Sequence, residues 1–455
     1  MRRGLRGAMV WIALAIGVEG MAAVAWAQGR ESLTLPGAVE VALRSHPLVR
    51  AAASGGALAE AQLEEARRSR WPTIQLSETV TRGNNPVFAF GSLLEQGRFT
   101  QQNFFLPRLN NPEALTNFRV GVSMRMPVFD QRQASTRIRQ AGLRREQAGT
   151  QTEQVAQRIR FEVIRTYYGL LLAQSRRQVT TESVRLAEAD VEVSRNRVEL
   201  GTAVAADLLA AEVQLSEVRQ QQIEATGEEL TALAALNTAM GIAIETPQVL
   251  AGELGARTFP LESQEGLLRE ALQRRPDVVR AGLAWESGQA GVRGARSEYL
   301  PRVDLFTSAG ASRHDWINGS GDYTVGVSVT FQLLDAGRGA RVAQARAAAE
   351  IASGERDHLQ QQVRFEVVEA RQRVQTAAER MVVAERTTER AGEALRIVQD
   401  RYREGLSTMT ELLRAQTALT RARLQVLASR YDYYVGYAGL LLTTGQLTGV
   451  GPFVS

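Results

Sequence analysis

The chain carries the same plan twice. Ala42-Leu43 and Pro47 recur as Ala271-Leu272 and Pro276, and at the same spacing Ala66-Arg67, Pro72 and Leu76 recur as Ala295-Arg296, Pro301 and Leu305. Phe118-Arg-Val-Gly-Val-Ser parallels Tyr323-Thr-Val-Gly-Val-Ser, and Asp130 parallels Asp335. Phe161-Glu162-Val163 parallels Phe365-Glu366-Val367, and Gly201 and Asp207 parallel Gly405 and Glu411. Matches that keep one order over about 200 residues mark an internal duplication, so the fold must use one unit two times. The first copy alone carries an insert between Leu76 and Phe118. Pro247, Gly252, Gly255 and Pro260 mark a linker. The expected divisions are a first repeat over 28–244, a linker over 245–263, a second repeat over 264–445 and a tail over 446–455.

Each unit opens with a helical stretch, Ala38–Ser69 and Gly266–Glu298, broken before Pro47 and Pro276 because the residue before proline disfavours the helical region. Strand-like runs follow. Tyr323, Val325, Val327, Val329, Phe331 and Leu333 alternate with polar or small residues, as do Phe118 to Val128 and Ile74 to Val80. Val303–Ser312 alternates less cleanly, because Phe306 falls out of phase. Period-two alternation gives a sheet one apolar and one polar face. Runs of about ten residues suit tilted strands that cross a bilayer. A soluble sheet covered by helices is the alternative, but no further amphipathic segment is available to cover it. Four strands cannot close a barrel, and an open edge in lipid leaves backbone groups unpaired, so a barrel needs several chains.

The helices that come next are too long for a globular domain. From Arg338 to Glu404 there is no proline. A coiled-coil seam steps by four and three through Val363, Val367, Ala370, Val374, Ala377, Met381, Ala384, Thr388, Ala391, Leu395, Val398 and Tyr402. The first repeat echoes it from Ile159 to Val198. Such a helix is roughly 100 Å long. A fibrous coiled coil would explain the heptads but not the strands. Gly201 and Gly405 end these runs and read as C-caps, with Thr202 or Ser407 available to cap the next helix.

Composition narrows the function. All 54 basic residues are Arg, set against 49 acidic ones, for a net charge of +5 that is spread thinly and is no nucleic-acid footprint. Cysteine is absent, which excludes disulfides, thiolate metal sites and cysteine nucleophiles. His46, His314 and His358 show no metal spacing and no Ser/His/Asp constellation. No enzyme and no cofactor is expected. Arg2, Arg3 and Arg6 precede an apolar stretch from Ala8 to about Ala27, and Ala25-Trp26-Ala27 fits a cleavage site, with Ala23-Val24-Ala25 as the alternative. Residues 1–27 therefore read as a secretory signal peptide.

The twofold repeat, the Pro47 and Pro276 helix starts, the Pro72 and Pro301 strand entries and Phe331-Gln-Leu-Leu-Asp335-Ala-Gly337-Arg338 together resemble the outer-membrane efflux protein family, the TolC-like channels. The resemblance covers essentially the whole mature chain. It implies a mainly α fold with a small β part, each repeat a β-hairpin with long coiled-coil helices. Three chains would then form a twelve-stranded outer-membrane β-barrel on a periplasmic α-helical barrel. The implied function is an exit duct of a tripartite efflux or type I secretion system. Its partners would be a homotrimer, outer-membrane lipid, a periplasmic adaptor (membrane fusion protein) and an inner-membrane transporter of the RND or ABC type. Leu200, Gly201, Thr202, Gly405, Leu406 and Ser407 would meet the adaptor. The periplasmic gate would fall on Asp207, Tyr402 and Glu411, with an Asp207–Tyr402 latch; Arg414, where a second acidic ring is expected, would pair with Glu411. Asp130-Gln-Arg-Gln departs from the Asp-x-Gly-Arg of the second repeat and reads as loss of a local turn.

The insert Gly83–Asn117 falls between the first two strands and carries Phe88, Phe90, Phe99, Phe104 and Phe105. Its aromatics could plug the barrel mouth, extend the strands or form an interfacial girdle, and the sequence does not choose. A periplasmic adaptor would be the rival exported, hairpin-rich protein, but it would carry one hairpin between small barrel segments. Within the duct reading, the cargo is either small molecules or a secreted polypeptide.

Overall fold

The computed structural model describes residues 32–315 and 319–454; the expected signal peptide lies outside the described residues. The first repeat runs α1 (Leu35–Ser45), α2 (Pro47–Arg68), β1 (Thr73–Gly83), α3 (Pro86–Glu95), α4 (Leu106–Asn110), β2 (Leu115–Asp130), α5 (Gln133–Glu199) and α6 (Ala205–Met240). The second runs α7 (Gln264–Arg274), α8 (Pro276–Ser297), β3 (Arg302–Arg313), β4 (Gly319–Thr330), α9 (Arg338–Arg403) and α10 (Met409–Thr443), and α11 (Gly451–Val454) follows. Both expected helix breaks are present: His46 and Arg275, each before a proline, leave the helical region with ψ of 129° and 122°.

α5 and α9 are unbroken over 67 and 66 residues. The remaining helices match that length in two pieces. α6 and α2 both pack along α5, and α10 and α8 both pack along α9. The pieces meet end to end at glycines that the repeat makes equivalent. A Cβ on Gly241, after α6, would stand 2.7 Å from Cα of His46, which opens α2. A Cβ on Gly445, after α10, would stand 3.0 Å from the carbonyl carbon of Arg274 and from Cα of Arg275, before α8. Two short helices thus act as one rod.

The expected seam is the buried one. Val363, Val367, Val374, Ala377, Met381, Ala384 and Leu395 are buried in α9, and Ile159, Val163, Leu170, Ala173, Val184, Ala187 and Val191 in α5. Arg177, at a seam position, instead turns its head outward to an ion pair with Glu229 of α6 at 2.5 Å.

A belt surrounds the rods where their pieces join. Leu33 pairs with Leu250 in a parallel bridge, and the Tyr167 hydroxyl lies 2.5 Å from the Ala251 carbonyl oxygen. Phe259, in the stretch between the repeats, stacks on Tyr437 with centroids 4.3 Å apart and donates its N–H to the Tyr433 hydroxyl at 2.8 Å. Phe453 of the C-terminal segment packs edge-on against Tyr437. The segment linking the repeats is therefore bound into the core.

The four strands form one antiparallel sheet in the order β1-β2-β3-β4, open at β1 and β4. A bulge between Pro127 and Phe129 lies where β2 turns toward α5. Phe331 and Leu333 alternate like the residues before them but lie beyond the end of β4.

At Asp130 the expectation of a lost turn is corrected. Gln131 and Arg132 both take left-handed conformations, with φ of 59° and 60°. The Asp130 carboxylate accepts from the Ala134 N–H at 2.6 Å, and the Gln131 amide donates to the Leu300 carbonyl at 2.6 Å. The turn survives because these bonds hold a backbone that sequence alone disfavours. Arg132 is exposed, and its side chain makes no hydrogen bond or ion pair among the described residues. Arg132→Gly relieves its left-handed strain, so the detergent-solubilised protein should gain about 0.5 kcal/mol after the entropy cost of glycine. A drop in its denaturation temperature would show that the Arg132 side chain contributes instead.

Candidate functional site

Among the described residues no helix is long and apolar enough to cross a membrane. The sheet, in contrast, has the required surface. Register aligns Ile74, Leu76 and Val80 of β1 with Met124, Val122 and Phe118 of β2. The same face continues through Leu305, Ala309 and Ala311 of β3 to Val329, Val327, Val325 and Tyr323 of β4. These β4 residues and those of β1 are exposed. Glu78, Arg82 and Arg313, the charged residues of this face, lie toward the hairpin ends, with Glu78 and Arg313 4.0 Å apart. The opposite face presents Gln75, Ser77, Thr79, Asn117, Arg119, Ser123, Asp304, Ser308, Ser312, Asp322, Thr324 and Ser328.

The out-of-phase Phe306 now has an explanation. It lies on the polar face and covers Gly326, where a Cβ would stand 2.5 Å from its ring. At the foot of that face a cavity of about 640 Å³ is lined by Arg125, Arg137, Arg302, Asp130, Asp304 and Phe306. The Arg302 guanidinium bonds both oxygens of Asp304, at 2.7 and 3.0 Å. Charge therefore lines the polar wall in pairs.

The hairpin tips form the other candidate surface, at the far ends of α5 and α9. Gly201 and Gly405 take φ of +70° and +78°, as the C-cap reading expects. In each, the glycine N–H and the next N–H bond back into the helix: Gly201 to Val198 and Thr202 to Arg197, Gly405 to Tyr402 and Leu406 to Arg401. Leu200 is 78% exposed and Leu406 63% exposed. The repeat does not make these two equivalent, so the two tips differ in shape.

Two capping expectations are corrected. Thr202 turns its hydroxyl back to the Arg197 carbonyl at 3.0 Å and caps the helix before it. Ser407 bonds the Glu411 carboxylate, and Thr408 is the N-cap of α10. Thr408 accepts from the Glu411 N–H at 3.2 Å, and the Glu411 carboxylate accepts from the Thr408 N–H at 3.1 Å. That is a capping box, and Thr-x-x-Glu is visible in the sequence.

Among the described residues the gate residues do not form the expected bonds inside one chain. No hydrogen bond joins Asp207 to Tyr402 among the described residues. Tyr402 instead packs against the cluster of Val191, Leu395, Met409 and Leu412, under the Arg197 guanidinium at 4.6 Å. Arg197 went unnoticed because only the packing of α5 and α9 against α10 brings it to the ring. Arg414 is exposed and forms no ion pair with Glu411 among the described residues, because the capping box holds that carboxylate. The Ser407 hydroxyl, then the Thr408 N–H, hold the Glu411 carboxyl below the usual range, helped by Arg401 and Arg414.

The comparisons fit this geometry. The model of the outer membrane efflux protein family matches residues 38–242 and 267–446. The alkaline protease secretion protein AprF of Pseudomonas aeruginosa is 22% identical over 335 residues, covering 72% of this chain and 69% of AprF. Protein CyaE of Bordetella pertussis is 27% identical over 297 residues, covering 63% of this chain and 58% of CyaE. The crystal structure of the Campylobacter jejuni outer membrane channel CmeC superposes with a TM-score of 0.78 at 16% identity, covering 98% of this chain and 94% of that one. The chain belongs to the outer membrane efflux protein family, the outer-membrane channels that reach into the periplasm.

Proposed function

We propose that three copies of this chain form a closed duct. Twelve strands would line it through the outer membrane, and the α-helical rods of all three chains would line it through the periplasm. Residues 28–244 and 264–445 would be its two wall-forming repeats. A periplasmic adaptor and an inner-membrane RND or ABC-type transporter would supply cargo and energy. The duct itself needs no catalytic group.

One observation carries this reading: the chain builds an interface once and leaves its repeat-equivalent bare. Inside the chain α10 packs on α5. Ser183 and Thr420 meet there at 3.2 Å, and Gly439 lies against the Phe161 ring. The repeat turns these into Thr387 with Ser216, and Phe365 with Ala235, on α9 and α6. All four are exposed, as are Leu209 and Leu230 of α6, whose counterparts Leu413 and Tyr434 on α10 are buried. The α6 face of one copy therefore fits the α9 face of the next, as α10 fits α5. Such a head-to-tail contact forms a ring where the rotation closes. The open edges β1 and β4 run in opposite senses, so they also pair antiparallel between copies, and closure leaves no free edge in lipid.

The test uses the absence of native cysteine. Hydroxyls at the spacing of the Ser183–Thr420 pair suit a disulfide after substitution. Oxidation of a chain carrying both Ser216→Cys and Thr387→Cys should give a covalent trimer. A mixture of the two single variants should stop at dimers. A monomer band in both cases overturns the ring.

A second reading keeps the duct and changes the cargo. AprF is named for secretion of an alkaline protease, and that likeness supports a polypeptide cargo.

A further inference from the structure

The insert between β1 and β2 has no counterpart in the second repeat. It folds as a compact piece. The Asn85 side chain caps α3 by accepting from the Val87 and Phe88 N–H groups at 3.0 and 3.3 Å. Phe90, Phe99 and Phe104 pack edge to face, with centroids 4.7 and 5.0 Å apart along the series Phe90–Phe99–Phe104. The three rings hold the piece together, with Phe90 and Phe99 half-buried and Phe104 exposed.

Its position is fixed on one side of the sheet. α3 packs against β2, β3 and β4. The Glu95 carboxylate accepts from the Ser312 hydroxyl at 3.0 Å, and from Arg119 and Asn117 at 3.4 Å each. Arg119 continues to Asp322 at 2.8 Å. Gln96 donates to the Asn117 side chain at 2.9 Å and to the Thr116 carbonyl at 3.0 Å. Ser92, Gln96, Asn117 and Ser312 are all buried in this contact. Asn117, Arg119, Ser312 and Asp322 share the polar face, near the end where the hairpins turn. Buried polar groups that satisfy one another fix a single orientation, because shifting the helix would strand each of them. The insert thus leans over the polar face and leaves the apolar face clear.

We propose that residues 84–114 are a lid, folded inward over the outer mouth of the duct and held to its wall by Glu95, Gln96 and Arg119. This rests on the duct reading, which makes the polar face the lumen. In a ring of three copies, three lids converge on the axis and set the size of solute that passes. Val87, Leu94, Phe105 and Leu106 are exposed apolar residues of the lid, suited to contact between neighbouring lids.

The test reads access from outside the cell. Ser308 lies on the polar face, paired with Ser123 and Thr324, deeper than the lid's contacts. Ser308→Cys is placed in the full chain and in a lidless chain. Because Gly83 pairs with Leu115, an Asn-Gly turn can join them directly and close the hairpin. A third chain, Glu95→Ala/Gln96→Ala, keeps the insert but removes its hold, which covers failure of the deletion to fold. A small charged maleimide added to intact cells should label all three alike. A maleimide on a bulky polymer should label the lidless and released chains at least about tenfold faster than the full chain, since pore width sets access. Equal labelling of all three by the bulky reagent, at any level, overturns the lid. Labelling of Val327→Cys, on the apolar face, with none at Ser308→Cys by the small reagent would instead reverse the faces and overturn the duct reading itself.

Discussion

Gly241→Ala and Gly445→Ala should each cost about 3 kcal/mol, against about 1 kcal/mol for Gly201→Ala and Gly405→Ala. All four glycines have φ between +70° and +78°, and all four end a helix. The backbone strain added by a Cβ is therefore the same in each. Surroundings separate them. Nothing lies within 4 Å of a Cβ at Gly201 or Gly405. At Gly241 and Gly445 the Cβ meets the backbone that opens the next rod piece, at 2.7 and 3.0 Å. Backbone cannot rotate away as a side chain can, so the end-to-end joint must open. The joint is also where the aromatic belt binds, so its loss should loosen Phe259 and Tyr437. The measurement is resistance of the solubilised protein to protease across a temperature series, with all four variants side by side. Equal losses at the four positions would mean that the rods do not depend on tight joints.

These joints show why some of the fold was legible in the sequence and some was not. The seam from Val363 to Leu395, the breaks at Pro47 and Pro276 and the tip glycines rest on local rules, in which a residue acts on neighbours within a turn or two. Each reads directly. The joint depends on His46 meeting Gly241, almost two hundred positions away, and no periodicity records that encounter. Arg197 over Tyr402 is hidden for the same reason. The insert posed a related problem: its aromatics were plain, but which side of the sheet it covers depends on Glu95 reaching Ser312 in the other repeat. Thr408 is a different case. Its capping box with Glu411 is local and readable, and Ser407 drew attention only because it stands next to the glycine. The Asp130 turn was misread because Gln131 and Arg132 are poor left-handed residues, held there by bonds to Ala134 and Leu300. Repeat symmetry served best where it fails, since the bare faces of α6 and α9 are visible only by comparison with α10 and α5.

Leu200→Asp with Leu406→Asp should abolish export while leaving the covalent trimer of the Ser216→Cys/Thr387→Cys chain intact. The two leucines project from the tips of the rods, where the chain has every reason to be polar. An exposed leucine that no other part of the chain covers is consistent with a docking contact. Burying one leucine side chain contributes ~2 kcal/mol, and each 1.4 kcal/mol is about tenfold in affinity. A carboxylate in its place also suffers the cost of desolvation, so adaptor binding should fall by roughly a hundredfold or more at each tip. Because Leu200 and Leu406 are not repeat-equivalent, the single variants should differ, one kind of tip mattering more than the other. Arg44→Ala, exposed on α1 and outside the proposed contact, serves as the control and should leave export near normal. The readouts are growth in the presence of an exported toxic compound, or secretion of the exported polypeptide, together with recovery of the adaptor on the crosslinked trimer. Normal export by the double aspartate variant would place the adaptor contact elsewhere on the rods. Loss of the trimer would instead assign the leucines to contacts between copies, because a docking residue at the tip has no part in joining α6 to α9.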